Sequence, residues 1–351
     1  MALILERRVE RARKWMWLSP LLALALTVVA GAIIFALAGV NPLHGLYTYF
    51  ISPLMDGWDR EKLIAKAAPL VLIGVGLAVA YTANVWNIGA EGQFVAGALL
   101  AGLVPVFLPA WQGPSVMAAM LLLGVIGGLA WAMVPALLRA RFHANEILTS
   151  LMLVYVMRLA YDWAVRGPLR DPQAMNFPKT VRFEGWQVLP AWGEIHLGAA
   201  FALVAALVLY VVMVKMLKGF ELRALGSSPR AARFAGFSEH RAIYFVFAVS
   251  GALAGLAGAC DVMGVSRQLQ APYEPNYGFV AIIVAFLGRL NPVGVIFAGL
   301  LLALSYMGGE TAKVTLGISD NIAKVFQGML LIFILACDTL ILYRIRWQGR
   351  A

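Results

Sequence analysis

The stretch "NIGAEGQ", Asn87 to Gln93, breaks a tract that is otherwise apolar: "PLVLIGVGLAVAYTANVW" leads into it and "FVAGALLAGLVPVFLP" follows. An Asn, a Glu and a Gln here need partners, because hydrocarbon offers no hydrogen bonds to them. A carboxylate at mid-membrane costs a few kcal/mol unless it faces a cavity or a partner. The glycines allow a break in the helix or a close backbone approach. Three readings follow. The motif lines a pathway, clamps neighbouring helices through Glu91 and Gln93, or lies near the cytoplasmic interface, where Glu91 is simply wet.

Composition sets the frame for that break. Of 351 residues, 62% are hydrophobic and 13% charged, with mean hydropathy +0.81. Soluble domains average about 45–50% apolar and about 25% charged residues, so the chain reads as an integral membrane protein. Its long runs of Leu, Ala, Val and Gly are helical spans, since barrel strands alternate over roughly 10 residues. Cys260 and Cys337 lie in apolar runs and read as small core residues, with no metal spacing. His44, His143, His196 and His240 stand apart, so they suggest no metal site. The net charge of +10 fits basic cytoplasmic loops better than nucleic-acid binding. "ERRVERARK" before "WMWLSPLLALALTVVAGAIIFALAG" resembles a signal peptide, but the apolar stretch is too long for one and reads as an uncleaved first helix.

Apolar segments fall near 17–39, 67–85, 88–108, 115–138, 146–165, 198–216, 242–262, 278–288, 292–307 and 321–343. With a cytoplasmic N-terminus, inside segments hold 17 of the 28 Lys and Arg, outside segments hold ten, and Arg158 falls inside a span. That bias puts both termini in the cytoplasm and demands an even number of crossings. Residues 1–16 form the cytoplasmic N-terminal segment. Residues 40–66 form an external loop able to make an interfacial amphipathic helix, and 166–197, with Pro168, Pro172, Pro178 and Pro190, an irregular external loop. Trp58, Trp111, Trp186 and Trp192 mark the outer interface, and Trp15, Trp17 and Trp347 the inner one.

The run "GFVAIIVAFLG" (278–288) has only 11 residues, or roughly 16 Å of helix, against about 30 Å of hydrocarbon. It predicts a half-helix, or an oblique crossing within a protein-lined cavity. "GQFVAGALLAGL" (92–103) also aligns with "GVIFAGLLLAL" (294–304), matching Gly92 with Gly294 and Gly97 with Gly299. Interrupted segments at corresponding places in two halves point to a path at mid-membrane.

A second constellation is "KGFELRALGSSPRAARFAGFSEHR", Lys218 to Arg241. Ser228 can cap a helix, Pro229 suits its first position, and Gly236 suits a left-handed end. A turn at Gly226 and Ser227 would separate it from Glu221–Leu225. About two turns of helix are too short to persist alone, so something should dock there. Small Ala231 and Ala232 beside Phe234 suit a protein groove. Arg223, Arg230 and Arg233 would equally suit anionic headgroups. "SGALAGLAGA" (250–259) carries small-xxx-small spacing for close helix packing. "RFHANEILTSLM" (141–152) sets Asn145 and Glu146 at the start of a span, where an acid favours a helix N-terminus or serves the pathway. The sequence contains no G-x-x-x-x-G-K-[ST] loop, H-E-x-x-H or G-x-S-x-G, so neither ATP hydrolysis by a phosphate loop nor a membrane enzyme is indicated.

"PLVLIGVGLAVAYTANVWNIGAEGQFVAGALLAG", "ANEILTSLMLVYV", "ELRALGSSPRAARFAGFSEHRAIYFVFAVSGALAGLAGA" and "GFVAIIVAFLGRLNPVGVIFAG" together resemble permease subunits of bacterial ABC importers, over roughly 60 to 335. They are similar to the branched-chain amino acid and simple-sugar permease superfamily. "NIGAEGQ" looks most like its nucleoside-type members, which work with basic-membrane-protein lipoproteins. Trp86 stands where Phe is commoner, and "GSSPRAA" where Asn-Pro is commoner.

The resemblance implies an all-α polytopic bundle of about ten membrane segments, including broken or half-helices, in the bacterial inner membrane. It implies a second related permease, a cytoplasmic ABC ATPase carrying the ATP and Mg that this chain does not bind, and an external substrate-binding lipoprotein. By position it puts the ATPase-coupling segment within 217–241, on Glu221, Arg223, Gly226, Ser228, Pro229, Arg230, Ala231, Ala232, Phe234 and Gly236. The translocation path is expected at Trp86, Asn87, Glu91, Gln93, Phe94, Asn145 and Glu146, with Phe286 and Asn291 across it. The cargo is expected to be a purine nucleoside or related base, with a simple sugar as the alternative. An ion-coupled secondary transporter would need several intramembrane acids in a relay, whereas Glu91, Asp261 and Asp338 are scattered.

Overall fold

The computed structural model describes the backbone of residues 2–7, 13–175, 177–319 and 321–348. The side chains of Trp15, Trp17, Trp347 and Asp338 lie outside the described residues. The chain opens with β1 (Ala2–Arg7), α1 (Arg13–Leu37), α2 (Pro42–Phe50) and α3 (Ser52–Met55). Then come α4 (Gly57–Thr82), α5 (Ala90–Phe107), α6 (Pro114–Phe142) and α7 (Glu146–Arg166). A loop with a small ribbon, β2 (Ala191–Trp192) and β3 (Ile195–His196), leads to α8 (Gly198–Lys215), α9 (Leu217–Ser227) and α10 (Pro229–Phe234). The rest is α11 (Glu239–Asp261), α12 (Tyr277–Leu287), α13 (Pro292–Leu316), α14 (Asn321–Leu342) and β4 (Tyr343–Gln348).

Among the described residues, seven helices are long and apolar enough to cross a membrane: α4, α5, α6, α7, α8, α11 with its extension to Ser266, and α13. Three shorter apolar stretches, Leu21–Leu37, Tyr277–Leu287 and Lys324–Ile334, fall within other predicted segments. Outward-facing apolar stripes explain why lipid is the solvent. Leu148, Met152, Tyr155, Leu159 and Trp163 are exposed along one side of α7, three or four residues apart.

The contacts divide the chain into two compact units. In residues 61–303, α11 packs against α5 and α6, and glycine permits the approach. A methyl group on Gly255 would sit 2.8 Å from the Gly128 Cα, and one on Gly97 or Gly124 would strike Gly255 or Ala259. The small-residue spacing read in 250–259 is therefore a true packing face. The second unit, residues 1–60 with 304–351, has α1 against α14 and β1 antiparallel to β4 from Ala2↔Gln348 to Arg7↔Tyr343. Its core gathers Phe35, Tyr49, Ala312 and Phe326, and the Tyr49 hydroxyl meets Ser305 Oγ at 2.7 Å.

Three local expectations change. Gly226 and Ser227 do not form a turn: α9 continues through both and breaks at Ser228. Gly226 sits so close to Thr82 that a side chain would collide with its carbonyl, which explains a glycine inside a helix. Ser228 occupies the N-cap position, but its side chain makes no capping bond. Residues 57–66, read as loop, already belong to α4. Residues 40–56 do contain short helices, and 166–197 is largely irregular.

Candidate functional site

α4 stops where Asn84 enters the left-handed region (φ 56°), with Asn84 N–H donating to Tyr81 O and Val85 N–H to Ala80 O. This is a helix end sealed by an asparagine instead of a glycine. Residues 85–89 are then non-helical, and α5 restarts at Ala90. Backbone groups freed inside a membrane protein must be paired, and side chains of α7 and of the break itself do this. Trp86 N–H donates to Glu146 Oε1 (3.4 Å), Ile88 N–H to Ser150 Oγ (3.2 Å) and Gly89 N–H to Asn87 Oδ1 (3.1 Å). The Tyr81 hydroxyl donates to the Asn87 carbonyl at 3.2 Å.

Asn87 and Gln93 are buried and form a reciprocal amide pair. Asn87 Nδ2 donates to Gln93 Oε1 at 2.9 Å, and Gln93 Nε2 to Asn87 Oδ1 at 3.0 Å. Asn87 Nδ2 also reaches Ser250 Oγ of α11 at 2.9 Å. Glu91, 0% exposed, points the other way, toward the N-terminus of α12. Its Oε1 accepts from Arg158 Nη2 (3.2 Å) and Asn276 N–H (3.0 Å), and its Oε2 from Gly278 N–H (2.6 Å). Arg158 Nη2 also donates to Asn276 Oδ1 at 2.8 Å. A carboxylate thus holds the N-cap amide and one first-turn amide of a short helix, where the helix dipole favours negative charge.

Aromatic groups flank both sides of this polar seam. Trp86 and Phe286, both half-buried, lie with Tyr81 in a three-ring group at centroid separations of 5.2, 5.3 and 5.9 Å. Phe94 stacks on Tyr273 at 5.9 Å, and Tyr273 on Tyr161 at 5.2 Å. The Tyr273 hydroxyl donates to Asp261 Oδ2 at 2.6 Å.

The structure therefore gathers Trp86, Asn87, Glu91, Gln93, Phe94 and Phe286 in one region. Asn145 caps α7, accepting from Ile147 and Leu148 N–H. Glu146 is paired with Arg139 and reaches the break through Trp86 N–H. Asn291 is exposed and accepts from Val293 N–H, outside the seam. Sequence reasoning did not assign Ser150, Ser250, Asn276 or Tyr273, and it noted Arg158 without a role. Arg158 did carry a signal: an arginine inside a span needs an acid inside another span, and Glu91 was available.

On the predicted cytoplasmic side, Gly236 is left-handed (φ 84°), with Phe237 N–H bonded to Ala232 O and Gly236 N–H to Arg233 O. This is the helix end expected there. Ala232 is 3% exposed and Phe234 is 95% exposed, so the two do not share one face. An open groove of about 440 Å³ between α9 and α10 is lined by Phe220, Arg223, Ala224, Ser228, Ala231 and Phe237, among others.

Residues 60–335 match the family described as "Branched-chain amino acid transport system / permease component". The chain belongs to this family. It is an ABC importer permease and a multi-pass membrane protein. It is 33% identical to the glucose ABC transporter permease protein of Haloferax volcanii, over 94% of this chain and 90% of that protein. It is 29% identical to the guanosine ABC transporter permease protein of Bacillus subtilis, over 90% of this chain and 92% of the relative. Identity to the nucleoside ABC transporter permease protein of Lactococcus lactis is 27%, over 90% of each. Membership removes the ion-coupled transporter from consideration. The family's role is that of a permease subunit, which is not itself catalytic.

Proposed function

We propose that this permease carries purine nucleosides or related bases across the bacterial inner membrane. The observation that carries the reading is the ring group of buried Tyr81 with half-buried Trp86 and Phe286 at a helix break full of amides. Flat rings suit the face of a base, and polar groups suit its edge and the ribose hydroxyls. Asn87, Glu91 and Gln93 shape the path by fixing its walls, and Phe94, Asn145 and Glu146 brace them. Two relatives named for guanosine and for nucleosides support the cargo class.

A simple sugar is the second reading, favoured by the 33% identity to a glucose permease. Uptake of labelled guanosine by the assembled transporter, challenged with excess unlabelled glucose or adenosine, separates the two. Competition by adenosine alone is expected; glucose uptake without guanosine uptake would overturn the nucleoside reading.

The remaining machinery follows from the same role. A second permease completes the path, an external lipoprotein delivers cargo, and a cytoplasmic ATPase holding ATP and Mg docks on α9 and α10. The α9–α10 groove and the exposed Phe234 support that seat. Both termini lie in the cytoplasm, a reading supported by the basic bias and by β1 pairing with β4. A membrane-impermeant thiol reagent should leave Ser227→Cys unlabelled in intact cells; labelling there would reverse the orientation.

A further inference from the structure

We infer that Arg158 and Glu91 are positioning residues of transport: together they latch α12, and α12 moves as a gate when the latch releases. The inference does not depend on the cargo. Three independent observations carry it.

First, α12 is only 11 residues long, so it is not anchored at both membrane faces in the way a full span is. Second, its ends are set by non-glycine residues in the left-handed region: Asn276 (φ 60°) before it, Arg289 (φ 56°) and Leu290 (φ 54°) after it. Such backbone is unfavourable for a residue with a Cβ, least so for Asn, and persists where surroundings hold it, often at switch regions. Leu290 is unusual here, because its side chain offers no local hydrogen bond in compensation. These are hinge positions at both ends of one short helix.

Third, the helix is held from outside. The amides at its start, Asn276 N–H at the N-cap and Gly278 N–H in the first turn, bond to a carboxylate on α5, and that carboxylate is held by a guanidinium on α7. Gly278 has no room for a side chain against the Glu91 backbone, so the latch closes only on glycine. At its other end, α12 rests Phe286 on Tyr81 and Trp86, so any movement of α12 also moves a proposed wall of the path. Arg158 Nε is buried without a partner. A buried orphan donor is costly, and a second arrangement in which this guanidinium re-partners would relieve it.

The test uses the assembled transporter in a background lacking Cys260 and Cys337. A Cβ built on Gly74 of α4 lies 3.5 Å from Val284 Cβ of α12, at the short end of the roughly 3.5–4.5 Å that disulfides span. Gly74→Cys with Val284→Cys should therefore lock α12 on oxidation. Uptake should fall at least tenfold when oxidised and return with reductant. The reduced form reports which cargo is carried, so a wrong cargo assignment and an immobile α12 give different results. Oxidised, cross-linked protein that transports as fast as its reduced form would overturn the gate.

The latch is tested separately by thiol labelling at Ala281→Cys, a buried site on α12, without nucleotide. Arg158→Met and Glu91→Gln each remove charge-assisted bonding of the kind that shifts an equilibrium roughly 10- to 100-fold. Labelling should accelerate accordingly in protein inserted at the parental level. An unchanged rate in both variants would leave the pair without a latching role.

Discussion

The pairing around Glu91 fixes an order of damage that a generic buried ion pair would not. Replacing Glu91 by Leu strands the Arg158 guanidinium and also leaves Asn276 and Gly278 N–H without their acceptor. Removing one partner of a buried pair costs about 3–5 kcal/mol, and the two amides put the loss at the upper end of that range. Replacing Arg158 by Met is milder, because the carboxylate keeps two backbone donors and the α12 dipole; about 2–3 kcal/mol is expected. Arg158→Met combined with Glu91→Leu should cost no more than Glu91→Leu alone, because the stranded cation is gone and only the amides remain. Glu91→Gln should fall between parent and Glu91→Leu. One amide oxygen cannot accept the three N–H groups that two carboxylate oxygens now share.

The assay is reversible unfolding of the purified permease in mixed micelles, run as a double-mutant cycle beside uptake by the same variants. Glu91→Leu and Glu91→Gln are both expected to lower uptake substantially. If Arg158→Met proved more damaging than Glu91→Leu, or the double variant simply summed the singles, the carboxylate would not be the centre of the network. The capping argument would then fail.

Gly255→Ala should destabilise by about 1–3 kcal/mol through overpacking against Gly128. Gly328→Ala, with nothing within 4 Å, should be neutral or stabilise by up to about 1 kcal/mol; the same unfolding assay checks both, and equal effects would refute the packing account. Phe234→Ala should reduce substrate-stimulated ATP hydrolysis severalfold with normal insertion, whereas Ala232→Asp should also loosen α10 against its own chain, as limited proteolysis would report. His196, in the 166–197 loop, is held neutral by burial, its pKa lowered to about 4 from 6.5. Because the unfolded loop binds the proton first, stability is complete above about pH 6.5 and falls toward pH 4, by at most about 3 kcal/mol. Hydrogen exchange of that loop at pH 7 and pH 5 reads this, and a loop less protected at pH 7 would contradict the sign.

The spanning helices were legible because each is a long apolar run, and lipid leaves the backbone few other ways to satisfy itself. The break at 85–89 was legible for the opposite reason: Asn87, Glu91 and Gln93 are too polar to be placed there without a partner. Their partners were not legible. Ser150, Ser250, Arg158 and Asn276 lie 62 to 185 residues from the groups they bind, and the periodicity of one helix says nothing of which face another presents. The turn placed at Gly226 failed on the same point, since that glycine serves a neighbour, the Thr82 carbonyl, and not its own backbone.

The short run 278–288 is the instructive case. Length alone marked it as a helix that could not span, yet its importance lies in how it is held. Three N–H groups from two other segments converge on one carboxylate, so the cost of burying Glu91 is fully offset only while α12 stays in place. A pair of left-handed residues, Arg289 and Leu290, follows it, a backbone that persists only where its surroundings hold it. A helix fastened by one buried charge and flanked by left-handed residues is suited to the gating role inferred for it, and the Gly74–Val284 cross-link decides whether transport needs it to move.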